Sequence, residues 1–260
     1  MRKLLVIGIG VGNPEQITIE AIRALNRADV FFVVDKGREK ADLARIRRAI
    51  CDRYVERSDY RVVSIPDAER DRSPADYLAE VEAWRERRAR LWGEAIRGEL
   101  REGGCGAFLV WGDPSLYDGT IAVLERLRAD GRIGLDYEVV PGITSAQALA
   151  AKHRITLSRA GGAVQITTGR RLAAAGLPGE AEDVVVMLDG ACAFERVDQD
   201  DVEVYWGANL GTEGEHLLAG ELAEVADEIG RLREEARRVS GWVMDTYLLR
   251  RKRREEGGPR

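Results

Sequence analysis

Histidine and cysteine are scarce in this sequence, and their scarcity restricts the chemistry that the protein can perform. The chain has only two histidines, His153 and His216, and they lie far apart. This argues against a histidine-rich metal site or a Ser-His-Asp triad. The three cysteines, Cys51, Cys105 and Cys192, are odd in number and scattered, which is unlike a disulfide framework. We therefore expect no metal site and a reducing, cytoplasmic location.

Long apolar runs and a strong excess of positive charge are also missing. No stretch approaches the roughly 18 consecutive apolar residues of a membrane-spanning helix, so we expect no membrane segment. The first ten residues predict a short strand and not a signal peptide. A formal net charge of −5 argues against nucleic acid as a general partner. The length of 260 residues suits two α/β domains or one large one.

The stretch over residues 110–117, VWGDPSLY, follows an apolar run that predicts a buried strand and precedes a helix predicted over 120–128. Such a loop lies at the carboxyl edge of a sheet, where open α/β folds bind ligands. Gly112 allows a close approach of backbone, and Asp113 offers a charged acceptor. An ordinary strand-to-helix turn would have the same composition, so the stretch alone does not decide between the two.

Two further loops of small residues also follow predicted strands. They are GIGVGNP at 8–14 and PGITS at 141–145. The first suggests a dinucleotide site, but its third glycine is missing and Asn-Pro interrupts the helix start that would hold a pyrophosphate. Repeated loops of this kind favour a ligand spread across several strand ends. Asp35 closes another predicted strand, so it is either a solvated turn residue or a carboxylate at the same edge.

The second half of the chain repeats the strand-rich pattern. The predicted strands cover residues 163–171, 183–190, 202–207 and 241–249. A helix is predicted over 222–239, and the charged residues from 251 onward predict a frayed tail. Arg170 and Arg171 end the first of these strands, where they would either bind carboxylates through forked hydrogen bonds or form a surface pair at a helix start.

The loop motifs, taken in order with the strand-rich second half, resemble the tetrapyrrole methylase family over nearly the whole chain. The resemblance implies an α/β, two-domain class III methyltransferase fold, in which each domain is a mixed or parallel sheet flanked by helices. The domains would span 1–156 and 157–250, followed by a charged tail at 251–260. It also implies S-adenosylmethionine as cofactor, S-adenosylhomocysteine as product, a small-molecule tetrapyrrole substrate between the domains, and a homodimer.

The resemblance identifies candidate site residues in this sequence. The implied cofactor contacts are Val11, Trp111, Gly112, Asp113, Leu116, Thr144, Ser145, Met187 and Leu188. Val11 stands where the family usually has proline. Asp35 matches, within one residue, the aspartate that acts as proton acceptor in uroporphyrinogen methylases. The implied substrate contacts are Tyr117, Arg170, Arg171 and Asp245.

Three stretches narrow the resemblance to members that methylate precorrin-5 at carbon 1 and release acetate in aerobic cobalamin biosynthesis. They cover residues 28–37, 166–171 and 241–251. Asp245 or Tyr247 could orient the water that removes the acetyl group. A sulfonium donor already carries a good leaving group, so the enzyme mainly has to position the carbon nucleophile.

Three other functions stay open on the sequence alone. The chain could be another methylase of this fold with a different tetrapyrrole, protein or RNA target. It could also be a nucleotide-dependent oxidoreductase, or a catalytically silent S-adenosylmethionine-binding module, because a fold and its cofactor loops do not prove turnover.

Overall fold

A computed structural model describes residues 1–35, 41–69, 76–179 and 181–252 of the chain. These residues fall into two compact units, Met1–Thr144 and Ser145–Arg260, each built on one five-stranded sheet. Helices flank a parallel sheet in the first unit and a mixed sheet in the second, so the predicted α/β class is confirmed.

The sheet of the first unit is entirely parallel, with strand order β3-β2-β4-β1-β5. Its strands are β1 (Arg2–Gly8), β2 (Val30–Asp35), β3 (Arg61–Pro66), β4 (Cys105–Val110) and β5 (Leu135–Val140). The central strands β1 and β4 are apolar and buried on both faces, as a sheet covered on both sides requires. Because all five strands run the same way, their carboxyl ends share one edge.

Four helices cover the two faces of this sheet in the described residues. They are α1 (Ile19–Leu25), α2 (Ala41–Tyr54), α3 (Tyr77–Glu99) and α4 (Thr120–Asp130). One apolar core joins α1 and α2 to the sheet, and a second core joins α3 and α4 to the opposite face. In the second core, the Trp92 ring stacks on Phe108 with 4.4 Å between ring centroids.

The second unit has strand order β6-β7-β10-β8-β9. The strands are β6 (Val164–Thr168), β7 (Asp183–Met187), β8 (Val202–Ala208), β9 (His216–Glu221) and β10 (Asp245–Arg251). β6 and β7 are parallel, and the remaining pairings are antiparallel. The helices are α5 (Ser145–His153), α6 (Gly169–Ala175) and α7 (Leu222–Ser240). Trp206, Phe194 and Tyr247 fill the core of this unit.

The structure differs from the sequence predictions at several places in this unit. The strand predicted over 183–190 ends at Met187, and the strand predicted over 241–249 begins at Asp245. The strand predicted over 163–171 ends at Thr168, whose hydroxyl accepts a hydrogen bond from the Arg171 amide and caps α6. β9 was not predicted. The units divide after Thr144 and not after residue 156, because α5 packs against β10, β8 and β9.

The predicted tail begins two residues too early, because Arg251 and Lys252 are still held in the second unit. β10 continues to Arg251, and Lys252 forms an ion pair with Glu221, with 2.7 Å between Nζ and the carboxylate oxygen. The rest of the predicted tail, 253–260, lies outside the described residues.

Candidate active site

Three neighbouring loops emerge at the carboxyl edge of the first sheet, after β1, β4 and β5. The loop after β1 and the loop after β4 are joined by a short antiparallel bridge between Gly10 and Gly112. The Gly112 amide donates to the Gly10 carbonyl oxygen at 2.8 Å, and the Gly10 amide donates back at 3.3 Å. These bonds fix the two loops side by side.

Gly142, in the loop after β5, has backbone packed directly on the other two loops. A Cβ atom placed on Gly142 would lie 2.2 Å from the Gly112 carbonyl oxygen and 2.8 Å from the Gly8 carbonyl carbon. No side chain fits there. This glycine therefore lets the loops pack against each other, whereas the sequence analysis considered the small residues of this loop only as ligand contacts.

Asp113 links the loop after β4 to the loop after β5. One carboxylate oxygen accepts from the Gly142 amide at 2.8 Å, and the other accepts from the Ser115 amide at 2.8 Å and from the Ser115 hydroxyl. Partial burial works to raise the pKa of Asp113, but the Ser115 hydroxyl and the two amides together hold it below its ordinary value. The carboxylate is therefore ionised at neutral pH.

Beside Gly112 lies a space that a methyl group would fill in ordinary van der Waals contact with its neighbours. The Gly112 φ of +68° lies in the left-handed region, and a Cβ there would have Thr144 Cα and Val11 Cγ1 as its nearest neighbours, both at 3.8 Å. Val11, which stands where the family usually has proline, is buried and packs beside this space. The structure thus brings together three of the predicted cofactor contacts.

The rest of the loop after β4 presents apolar surface. Trp111 and Leu116 are half-buried. Tyr117 is 46% exposed and has a φ of +53°, a left-handed backbone that an aromatic residue rarely adopts. The role of Tyr117 near substrate stays a prediction.

Asp35 is exposed at the carboxyl end of β2. β2 lies beside β4, so the carboxylate sits on the same edge as the loop that carries Asp113, as the strand pattern predicts. The neighbouring stretch 36–37, which contributed to the resemblance, lies outside the described residues.

Two arginines at this edge, half-buried Arg47 and buried Arg88, were missed by sequence reasoning. Arg47 donates from Nε to the Leu109 carbonyl oxygen at 3.1 Å, near the end of β4. The Arg88 guanidinium lies between the rings of Trp84 and Trp92, 4.7 and 4.8 Å from their centroids. Burial lowers the pKa of both arginines, although nearby carboxylates oppose the shift. Both belong to charged helices whose pattern predicts solvated arginines, so nothing local indicated their burial.

The second unit carries the remaining candidates at one edge of its own sheet. Met187 ends β7 and is half-buried, and Leu188 follows it with 65% of its surface exposed. Arg170 and Arg171 are exposed in the first turn of α6, just after the neighbouring parallel strand. The Ser145 hydroxyl, at the start of α5, accepts a hydrogen bond from the Thr246 hydroxyl at 2.8 Å.

The structure corrects the roles expected for Asp245 and Tyr247. Asp245 is only 6% exposed, and one of its oxygens accepts from Arg233 Nε at 2.9 Å and from Trp206 Nε1 at 3.2 Å. Burial raises the pKa of Asp245 against the opposing charge of Arg233. Tyr247 is completely buried. Neither side chain reaches solvent, so we no longer assign either one to substrate binding or to acetate release.

The described residues contain no group of three or more His, Cys, Asp or Glu side chains placed to hold a metal ion. Within the same part of the chain, no helix is long and apolar enough to span a membrane.

Comparison with known proteins identifies the family to which this chain belongs. The chain belongs to the tetrapyrrole (corrin/porphyrin) methylases, whose family profile matches residues 3–226. Among curated relatives, a precorrin-6A synthase [deacetylating] from Sinorhizobium sp is 50% identical over 251 residues, covering 96% of each chain.

Solved structures agree with this assignment. A cobalamin synthesis related protein (CobF) from Corynebacterium diphtheriae superposes with a TM-score of 0.81 at 38% identity, covering 96% of this chain and 99% of that one. A uroporphyrin-III C-methyl transferase from Thermus thermophilus, complexed with S-adenyl homocysteine, shares the fold with a TM-score of 0.59 at 17% identity, covering 95% and 96% of the two chains.

Replacing Gly112 with alanine tests whether the space beside it belongs to the cofactor site. The Gly112→Ala variant places a methyl group between Val11 and Thr144, so we expect the affinity for S-adenosylhomocysteine to fall by about tenfold or more in isothermal titration calorimetry. Gly131→Ala is the matched control, because Gly131 has the same φ of +68° at the end of α4 and open space around its Cβ position.

Both alanine variants strain a left-handed backbone and should lose similar stability, about 1 kcal/mol each. Only Gly112→Ala should lose affinity. If its affinity equals that of Gly131→Ala, the space beside Gly112 lies outside the cofactor site.

Proposed function

We propose that this chain transfers the methyl group of S-adenosylmethionine to carbon 1 of precorrin-5 and releases the acetyl group as acetate, giving precorrin-6A in aerobic cobalamin biosynthesis. The observation that carries this proposal is the 50% identity, over 96% of both chains, to a precorrin-6A synthase whose name includes the deacetylating activity. The relatives named for other precorrin methylations are 27–29% identical over at most 60% of this chain.

The residues at the carboxyl edge of the first sheet fit S-adenosylmethionine. The cofactor combines an adenine ring and short carbon chains with a sulfonium and other polar groups, and pockets for such ligands are mostly apolar with a few placed polar groups. Half-buried Trp111 and Leu116 offer the apolar surface, and Gly112 leaves room for a ligand atom beside Val11. When bound, the cofactor would supply a methyl group from its sulfonium sulfur. Loss of the methyl group leaves that sulfur as a neutral thioether, which makes it a good leaving group.

The chain's own contribution is position and proton transfer. Loops joined backbone to backbone hold a bound donor rigidly, and correct orientation of two reactants lowers the barrier to reaction substantially. The exposed Asp35 carboxylate is the proposed acceptor of the proton that the substrate loses after its carbon is methylated. Ionised Asp113 keeps the loops joined through its hydrogen bond from the Gly142 amide. We therefore assign proton transfer to Asp35 and not to Asp113.

The substrate carries many carboxylates, which arginine binds with paired hydrogen bonds. Arg170 and Arg171, exposed together at the start of α6, are the proposed contacts for these groups, and exposed Tyr117 is a further substrate contact. From the resemblance to the family, we also propose that the enzyme is a cytoplasmic homodimer.

The proposed reaction is tested by mass balance. Purified protein incubated with precorrin-5 and methyl-labelled S-adenosylmethionine should give one labelled methyl group per macrocycle and one free acetate, measured by mass spectrometry and an acetate assay. Methyl incorporation without acetate would assign the chain to a different precorrin methylation. Binding of S-adenosylhomocysteine without any methyl transfer would make it a silent cofactor-binding protein.

The role of Asp35 is tested by a neutral replacement of the same shape. General-base assistance is typically worth about 10²–10⁴-fold, so Asp35→Asn should lower turnover by that factor while the affinity for S-adenosylhomocysteine stays unchanged. Asp136→Asn is the control, because Asp136 is also an exposed strand aspartate but lies at the amino end of β5. Turnover of Asp35→Asn at the rate of this control would make Asp35 a turn residue only.

A further inference from the structure

The sheet of the first unit opens between β2 and β4 near its carboxyl edge. β2 pairs with β3 along its whole length, Val30–Asp35. Among the described residues, its pairing with β4 stops at Phe32, which lies opposite Phe108. The end of β2 therefore separates from the end of β4, and we call the gap between them the β2–β4 crevice.

The chain topology at this crevice is one that favours ligand sites. α2 follows β2 and α4 follows β4, and the two helices cover opposite faces of the sheet. The chain thus leaves two neighbouring strands in opposite directions, and open α/β sheets bind ligands outside the carboxyl ends of strands at such switch points. β4 borders the crevice on one side and the strand that leads to the joined loops on the other.

A cavity of about 670 Å³ lies on the α2 side of the crevice. Its volume is within the range of small-molecule sites, about 300–1,000 Å³. The floor of the cavity is apolar and comes from three strands, with Phe31 and Val33 on β2, Val62 on β3 and Leu109 on β4. Val62 is 60% exposed, so part of this apolar floor is open to solvent.

The wall that α2 contributes to the cavity is positively charged. Arg45, Arg47 and Arg48 line the cavity, and Asp52 is the one acidic residue among the described residues that line it. Arg45, Arg48 and Asp52 are spaced by three and four residues, so they share one side of the helix. An apolar floor therefore faces a wall with a net positive charge.

Arg47 is fixed at the point where the strands separate. Its Nε donates to the Leu109 carbonyl oxygen at 3.1 Å. The next carbonyl, that of Val110, accepts from Ile9 on the β1 side, so the Leu109 carbonyl faces the crevice in the alternation of a strand. This hydrogen bond gives Arg47 a structural role, but it accounts neither for Arg45 and Arg48 nor for the uncovered Val62.

Asp35 belongs to the same face of the sheet as the cavity floor. Side chains alternate along a strand, so Asp35 follows Phe31 and Val33 on the α2 face. It is exposed at the end of β2, one strand away from the loop that carries Gly112. The proposed proton acceptor thus borders the cavity at the carboxyl edge.

We propose that the β2–β4 crevice binds one carboxylate-bearing edge of the tetrapyrrole substrate, with ring atoms on the apolar floor and carboxylates on the arginines of α2. An apolar ring system that carries carboxylates matches both surfaces at once, which neither a purely apolar ligand nor an inorganic anion does. This inference rests on the proposed function, which supplies the substrate. It uses residues of the first unit alone.

Binding of precorrin-5 in the presence of S-adenosylhomocysteine, followed by absorbance, tests the crevice without turnover. Val62→Trp fills the cavity from an exposed position and should weaken precorrin-5 binding about tenfold or more. The double variant Arg45→Gln, Arg48→Gln removes two charges from the wall and should weaken binding about tenfold. Both variants should keep wild-type affinity for S-adenosylhomocysteine in calorimetry, which also shows that they are folded.

Each variant has a matched control. Val164→Trp places the same large ring on an exposed valine of β6, the edge strand of the second sheet. The double variant Arg97→Gln, Arg101→Gln removes the same charge from exposed positions near the end of α3, at the amino edge of the first sheet. Both controls should bind precorrin-5 like wild type.

The outcomes separate this inference from the proposed function. Wild-type protein that neither binds nor methylates precorrin-5 would overturn the proposed function itself. If wild type binds precorrin-5 and the two crevice variants bind it as well as their controls, the proposed function survives and the crevice is not a substrate site. If the crevice variants are folded by circular dichroism but lose affinity for S-adenosylhomocysteine as well, the cavity belongs to the cofactor and the inference is wrong.

Discussion

The candidate site of the first unit depends on the packing of backbone against backbone at the carboxyl edge of its sheet. A parallel sheet brings the strand ends together, but only the absence of a side chain at Gly142 lets the loop after β5 rest on Gly112 and Gly8. The ionised Asp113 carboxylate then ties the same loops through the Gly142 amide. The edge therefore has a fixed shape before any ligand arrives, which is what an enzyme that works mainly by orientation requires.

A turn in the second unit is also held rigidly, but by different interactions. This turn, after β7, is held by buried charges and hydrogen bonds, with Asp189 at the centre and Arg233 and Tyr247 as donors. Leu188, the residue next to this centre, is exposed and strained. Close glycine packing and a buried polar network are alternative ways to make a loop rigid.

The sequence alone predicted those strands and helices whose pattern of apolar residues lies within one segment of the chain. The strand predicted over 202–207 and the helix predicted over 222–239 are found as β8 and α7, each one residue longer, because apolar periodicity along one segment is a local signal. The loops at the carboxyl edge followed from the same pattern. Contacts between distant residues were not predictable. Asp245 appeared available for a ligand because its partner Arg233 lies on a separate helix. The predicted strand ran past Thr168 into α6 because threonine favours strands and its capping hydrogen bond is not visible in the sequence.

The central claim is that the joined loops of the first unit bind the methyl donor, and a crystal structure with S-adenosylhomocysteine tests it most directly. Our account predicts that the ligand lies against the Gly112 backbone beside Val11 and Thr144, with the three loops in the conformation described for the free chain. Ligand density elsewhere on the chain, with the space beside Gly112 left to solvent, would contradict the account.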